Sequence, residues 1–391
     1  MAQNLQPVRG TRDLLPEELK KFRLIEETAV RMAGLYGFGE IETPVLESSA
    51  LFKRGLGETS DIVSKEMYAF QDLGGDELVL RPEGTAGVAR AFISEGLSQH
   101  LPLKLFYRGP MFRRERPQKG RFRQFYQMGV ELLGVEKPQA DLEVIALAHQ
   151  ILTSLPYADG FGGKITLHLN TIGDAESRDA FREKLVAYFK TRESELSSDS
   201  LQRLEKNPLR ILDSKDEGDR RVVAGAPSLK DCLNETSKKF FDEIVAGLDR
   251  MKIPYVVDPL LVRGLDYYCH TVFEFTTDSL GAQNAVCAGG RYDGLISDLG
   301  GPKTPGVGWA AGLDRLSMMI KEPTVTTKPV AVIPVGDDAE AAAFQLAQEL
   351  RAAGVAVDMG YSGNMGKRMK RADKVGASHA IIVGSDELAR G

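Results

Sequence analysis

The chain has 391 residues, 42% of them hydrophobic and 27% charged, with a formal net charge of −5. That length implies two or three domains, and the acidic balance excludes attraction to polyanions through overall charge, so any nucleic-acid contact must use a local basic patch. No apolar run reaches membrane-spanning length, Met1–Asp13 has no hydrophobic leader, and Cys232, Cys269 and Cys287 lack CxxC or metal-like spacing. The expectation is a cytoplasmic protein with reduced thiols, without membrane attachment, a disulfide framework or a zinc site.

In chain order, Pro16, Glu17 and Glu18 open an amphipathic helix whose apolar positions, Leu19, Phe22, Ile25, Ala29 and Met32, recur three or four apart. Gly37 and Gly39 end it, and Glu40–Leu46 reads as a strand carrying Pro44, which suits an edge or a subunit boundary. Arg81-Pro-Glu-Gly-Thr85 reads as a strand-ending turn. From Lys104 to Gly134 two strand-like runs flank Pro117–Gly120 and predict an antiparallel hairpin. On it Arg113, Glu115, Phe125, Gln127 and Glu131 share parity, so period-2 geometry can put each strand's set on one face. A turn centred near Lys119–Gly120 would set Arg113 opposite Phe125–Gln127. Such a face cannot be a dry core; it is either a solvated, salt-bridged surface or the floor of a polar cleft.

Asp141–Leu155 predicts a helix with a broad apolar face. Ser177–Lys206 and Lys230–Arg250 look helical, charged and free of chemical motifs, as an inserted helical module would. Strand and glycine texture returns at Tyr255–Phe275 and Val286–Leu299, and Ala310–Ile320 reads as a buried helix. Glu322–Lys328 has linker composition. Then Pro329–Val335, Ala339–Ala353, Val355–Met359, Lys367–Val375 and Ala380–Val383 alternate as a small α/β domain. His100, His149, His168, His270 and His379 show no metal-ligand spacing, so no metal site of the protein's own is expected.

The run from Phe112 to Phe125, FRRERPQKGRFRQF, closely resembles motif 2 of histidyl-tRNA synthetases. Leu261–Tyr268 (LVRGLDYY) and Ala288–Gly294 (AGGRYDG) resemble that family's histidine signatures. Gly306–Arg315 (GVGWAAGLDR) is similar to class II motif 3, and the helix and strand ending at Pro44 to motif 1. The resemblance runs from about Val8 to the C-terminus. It implies an α+β fold: a class II antiparallel sheet flanked by helices, an inserted helical module, and a C-terminal α/β domain like the family's anticodon-binding module. The expected division is 1–170 and 253–322 for the catalytic core, 171–252 for the insert and 329–391 for the terminal domain. Because the chain stops at Gly391 just after an apparent third strand, that last domain is expected to be incomplete.

The resemblance implies a histidine–tRNA ligase whose substrates besides histidine are ATP, with Mg²⁺, and tRNA(His), and which is expected to work as a homodimer. Histidine's carboxylate attacks the α-phosphorus of ATP, so the protein needs cations around the phosphates rather than a nucleophile. The resemblance gives Arg113 and Arg263 the α-phosphate and the catalytic role, and Arg315 the γ-phosphate; guanidinium groups suit this by permanent charge and bidentate geometry. It gives Phe125, Glu115 and Gln127 to the nucleotide. Glu131 and Tyr268 fall to the imidazole, Glu83, Thr85 and Gln127 to the α-amino end, and Tyr267 and Tyr292 to the pocket wall, with Arg113 and Arg263 beside the carboxylate. Arg116, Gln118 and Lys119 are expected to meet the acceptor stem. A second basic cluster, Lys367, Arg368, Lys370, Arg371 and Lys374, falls in the terminal domain. The alternative is a paralogue of the same fold, the histidine-sensing regulatory subunit of ATP phosphoribosyltransferase. That paralogue typically lacks a full motif 2 and the terminal domain, whereas Arg113, Glu115, Phe125 and Arg315 are all present here.

Overall fold

The computed structural model describes residues 5–57, 60–158, 165–212, 214–280, 284–323 and 327–390. Residues 324–326 of the expected linker, and Gly391, lie outside them. The chain divides into two compact units, Met1–Glu322 and Pro323–Gly391.

In the first unit, α1 (Pro16–Leu35) begins at its proline and buries Phe22, Ile25, Ala29 and Met32, while Leu19 stays at the surface. The strand expected at Glu40–Leu46 is corrected to β1 (Gly39–Glu40) and β2 (Leu46–Ser48) with irregular chain between them. Pro44 lacks an N–H, and the carbonyls of Thr43 and Val45 are taken by the Arg81 guanidinium and the Arg81 N–H instead of by a strand. After α2 (Ser49–Leu56) come β3 (Tyr68–Gln71) and β4 (Glu77–Leu80), which with β2 make a small antiparallel sheet, then α3 (Thr85–Ser94).

The expected hairpin is β5 (Leu103–Phe112) and β6 (Gln124–Leu133). Next are α4 (Pro138–Ser154) and β7 (Ile165–Thr171). The helical stretch expected over Ser177–Lys206 is two helices, α5 (Ala175–Lys190) and α6 (Ser198–Lys206), followed by α7 (Glu217–Val223) and α8 (Glu235–Met251). Asp174, Ser197, Asp216 and Asn234 each accept a backbone N–H in the first turn of the helix they precede. The strand texture that follows resolves into β8 (Tyr255–Val257), β9 (Cys269–Thr277) and β10 (Ala285–Arg291), then a short α9 (Leu295–Asp298). The helix expected at Ala310–Ile320 is corrected: β11 (Gly306–Gly312) runs through Ala310–Ala311, and only α10 (Leu313–Ser317) is helical. A tertiary ladder overrides the local preference, because β11 pairs along its whole length with β6 on one side and over Val307–Ala311 with β10 on the other.

The large sheet runs β1-β5-β6-β11-β10-β9-β7-β8, antiparallel except at its two outer pairs. Helices α1 and α4 pack their apolar faces on it around Phe106, Met128, Val130, Val307 and Trp309. The other face carries the polar residues considered below. The second unit is a parallel sheet, β13 (Val357–Met359), β12 (Val330–Val335) and β14 (His379–Gly384) in that order, with α11 (Ala339–Ala352), α12 (Met365–Lys374) and α13 (Ser385–Arg390).

Candidate active site

Backbone pairing puts Met111 opposite Phe125, Gly109 opposite Gln127 and Leu105 opposite Glu131. The turn does lie at Lys119–Gly120, where Gln118 and Arg121 exchange backbone hydrogen bonds of 3.1 and 2.9 Å. Arg113 nevertheless faces Arg123, correcting the expected partner Phe125–Gln127: its N–H donates to the Arg123 carbonyl at 2.9 Å. The shift has a cause. Arg114–Pro117 leaves the ladder, with the Arg114 N–H bonded to Glu66 O and the Arg123 N–H to Gly10 O, so the two arms of the loop differ in length. Parity survives the shift, and Arg113, Glu115, Phe125 and Gln127 line one cleft.

The same cleft is lined by Glu83, Thr85, Arg263, Tyr267, Tyr268, Tyr292 and Arg315. Glu131 alone among the expected nucleotide and histidine residues does not line it. Only 1% exposed, Glu131 lies beneath the floor, where Thr85 Oγ1 donates to one carboxylate oxygen at 2.7 Å and the Tyr292 hydroxyl to the other. A Cβ added at Gly308 on the neighbouring strand would stand 1.9 Å from that second oxygen, so only glycine leaves room for it. Burial pushes the Glu131 carboxyl up to about 8, against the opposing effect of these hydroxyls. Glu83 accepts the N–H groups of Thr85 and Ala86 at 2.8 Å each, at the start of α3, and is raised above the usual carboxylate range by burial. Tyr267 lies against Tyr268 and Tyr292, with ring centroids 4.6 and 5.6 Å away. This end of the cleft is therefore walled by three aromatic rings, with Glu83 in its lining and Glu131 just beneath it, both carboxyls raised by burial.

The other end is cationic. Arg113 donates from Nε to Pro82 O at 2.9 Å and lies 5.4 Å from the Phe125 ring centroid. Arg315 reaches Ala285 O at 2.6 Å, and Arg263 is 3.4 Å from Glu274. Burial, and then the charges of Arg121 and Arg113, lower the affinity of Arg315 for its proton; burial and Arg263 act the same way on Arg113. Like charges thus crowd a partly desolvated space, an arrangement that a polyanionic ligand relieves. Glu115 is already engaged by Arg113 and Arg121, and Asp314 by Arg12 and the Tyr126 N–H.

Arg116, Gln118 and Lys119 stand apart from this cleft, exposed around the hairpin tip. In the second unit the basic helix is only partly a basic surface: Arg368 is buried and bonded to Pro334 O and Glu340, and Arg371 pairs with Asp358 at 2.8 Å, leaving Lys367, Lys370 and Lys374 exposed. Sequence reasoning missed Arg121 as a cleft residue. It also missed Arg291, wholly buried against Asp141, which holds the strand end next to Tyr292. The insert, read as free of chemistry, contributes Arg178, Asn207 and Arg210 to the back of the Arg263–Tyr268 loop. No local pattern marks these residues, since their partners are 54 to 90 positions away.

The chain matches the family model for histidyl-tRNA synthetase over residues 10–316 and that for an anticodon binding domain over 329–391. It is 61% identical over 388 residues to the histidine–tRNA ligase of Rhodospirillum rubrum, covering 99% of this chain and 92% of that one. The chain belongs to the histidyl-tRNA synthetase family. The corresponding ligase of Gluconacetobacter diazotrophicus is 53% identical with the same two coverages. Among solved structures, apo histidyl-tRNA synthetase from S. aureus superposes with a TM-score of 0.81 at 36% identity, covering 99% of this chain and 93% of that one. A Bacillus halodurans protein described as an ATP phosphoribosyltransferase regulatory subunit/histidyl-tRNA synthetase gives 0.70 at 26% identity, each chain being covered to 98%. Membership makes this chain an aminoacyl-tRNA ligase, an ATP-using enzyme of protein biosynthesis. The matched anticodon-binding model separates it from a subunit holding the catalytic core alone.

Proposed function

We propose that this one cleft activates L-histidine with ATP to histidyl-adenylate and pyrophosphate, and that the same enzyme then passes histidine to the 3′-terminal adenosine of tRNA(His). The observation that carries this reading is the polarity of the cleft: crowded arginines around Phe125 at one end, a tyrosine-walled acidic pocket at the other. Phe125 stacks on adenine with Glu115 and Gln127 beside it, Arg315 takes the γ-phosphate, and Arg113 and Arg263 hold the α-phosphate. The imidazole enters between Tyr267, Tyr268 and Tyr292 above Glu131, while Glu83, Thr85 and Gln127 receive the α-amino group. Hydrogen bonds to both imidazole nitrogens reject amino acids that cannot return them, more strongly than size alone does.

A histidine carboxylate oxygen attacks the α-phosphorus, the bond to the bridging oxygen breaks, and pyrophosphate leaves. Arg113 and Arg263 are the catalytic residues because they stabilise the charge that grows on the α-phosphate. In the second step the terminal ribose hydroxyl attacks the adenylate carbonyl and AMP departs. Mg²⁺ enters as part of the substrate MgATP, held by phosphate oxygens. The engagement of Glu115 and Asp314 by protein donors agrees with that division of labour. Arg116, Gln118 and Lys119 meet the acceptor stem. A homodimer forms through the face bearing Leu46 and Phe70, 49% and 44% exposed on the small sheet. No described helix is long and apolar enough to cross a membrane, and we assign the enzyme to the cytoplasm. The proposed division places the catalytic core at 1–170 and 253–322, the insert at 171–252, and anticodon binding at 329–391.

The test separates the two steps. Arg263→Ala abolishes histidine-dependent exchange of pyrophosphate into ATP while histidine binding persists; wild-type exchange in that variant removes Arg263 from the mechanism. Arg116→Ala and Gln118→Ala spare exchange and lower charging; an equal fall in both steps contradicts the acceptor-stem role.

A further inference from the structure

Residues 258–268 belong to neither strand nor helix, yet they carry Arg263, Tyr267 and Tyr268. This stretch is a thin wall. Arg263, Leu265 and Tyr268 line the active cleft on one side and a second cleft, toward the insert, on the other. Leu261, Tyr267 and Tyr268 anchor the ends of the stretch in an apolar cluster, whereas Gly264 and Asp266 between them are exposed, so in that middle part, with open space behind it, polar ties help decide where the wall stands.

Those ties come from the helical insert. Asn207 Nδ2 donates to Asp266 Oδ1 at 2.6 Å, Arg210 donates to the Gly264 carbonyl and pairs with Asp61 at 3.1 Å, and Arg178 donates to the Tyr268 carbonyl. Asn207 and Arg210 follow the C-terminal end of α6, and Arg178 is on α5. Three residues of the insert therefore grip the loop at Gly264, Asp266 and Tyr268, flanking the arginine assigned to the α-phosphate and the tyrosines assigned to the imidazole.

We propose that Asn207 and Arg210, seconded by Arg178, are positioning residues for histidine adenylation, bracing the Arg263–Tyr268 loop from behind in the geometry that receives histidine. The inference rests on the function proposed above. It gives the insert a part in the first chemical step, before any tRNA is present. Since Phe125 and Arg315, the residues assigned to the far end of ATP, stand on β6 and α10, loosening the brace displaces the histidine contacts and leaves most nucleotide contacts in place.

The test uses the full chain in the pyrophosphate-exchange assay, with histidine and ATP varied separately. Asn207→Asp, which sets a carboxylate against Asp266, and Arg210→Gln each raise the KM for histidine about tenfold or more and lower kcat, with the KM for ATP held within about twofold. Arg210→Lys, which can still donate to the Gly264 carbonyl, recovers part of the loss. Ser200→Ala, which cuts a 2.6 Å bond to Asp219 inside the insert and away from the loop, leaves the histidine KM unchanged. Histidine KM values within about twofold of wild type in both Asn207→Asp and Arg210→Gln overturn the inference, as does a parallel rise of both substrates' KM values, the mark of a merely damaged fold. Wild-type protein that shows no histidine-dependent exchange overturns the functional reading itself, and this inference with it.

Discussion

Glu131 shows how one side chain's burial becomes a pH dependence. Its carboxyl titrates near 8 in the folded protein against an ordinary value of 4.5, because burial disfavours the charged form. The folded state therefore holds this proton more tightly than the unfolded chain does. Below about pH 4.5 both states are protonated and nothing is lost; as pH rises through the interval up to about 8, stability falls. Glu131→Gln removes that titration, so its Tm relative to wild type is expected to rise steadily between about pH 6 and pH 8, and a flat difference contradicts the assignment. The same variant leaves only one acceptor oxygen for the Thr85 and Tyr292 hydroxyls that now bond to Glu131, so one of these pocket residues loses its anchor and the histidine KM is expected to rise by up to about tenfold, the order of one lost hydrogen bond of about 1.4 kcal/mol. That Arg113, Phe125, Tyr268 and Arg315 belong to one cleft was legible in the sequence because each sits inside a long motif. The burial of Glu131 was not: it depends on Gly308 of β11 crossing beside it, 177 positions later.

At the scale of elements, the most consequential tie is between β10 and α4. Arg291 and Asp141 are both 0% exposed and joined by bonds from Nε and Nη2, with further bonds from Arg291 to Val135 O at 3.0 Å and Asp293 at 3.1 Å. Because Tyr292 follows directly, this pair sets where β10 delivers a pocket residue. Arg291→Met strands a buried carboxylate and is expected to cost about 3–5 kcal/mol in urea unfolding; a loss under about 1 kcal/mol contradicts the account. The hairpin was legible from strand-like runs around a Gly-containing turn, but its register was not, because Arg114 and Arg123 spend their N–H groups outside the ladder. Periodicity likewise misread Ala310–Ile320, since an apolar run bounded by glycines suits a buried strand as well as a helix.

At the scale of the molecule, the apolar cores divide as the units do. The clusters around Phe106, Phe52 and Tyr107 lie within residues 1–322, and those around Val332 and Ile333 within the second unit. A chain ending at Glu322 is accordingly expected to fold and keep exchanging pyrophosphate at a near wild-type rate while charging falls; loss of exchange would tie the second unit to the first step. The linker composition of Glu322–Lys328 and the strand–helix alternation after it marked the second unit in the sequence. The insert's grip on the Arg263–Tyr268 loop stayed hidden, because it is made by residues whose partners the fold alone brings near. All of these assignments converge on one reaction, and the most direct test of it is exchange of labelled pyrophosphate into ATP by the folded, Mg²⁺-supplied protein across a panel of amino acids. Exchange that requires histidine is the predicted result. No exchange with histidine, or equal exchange with an amino acid lacking the imidazole, contradicts it.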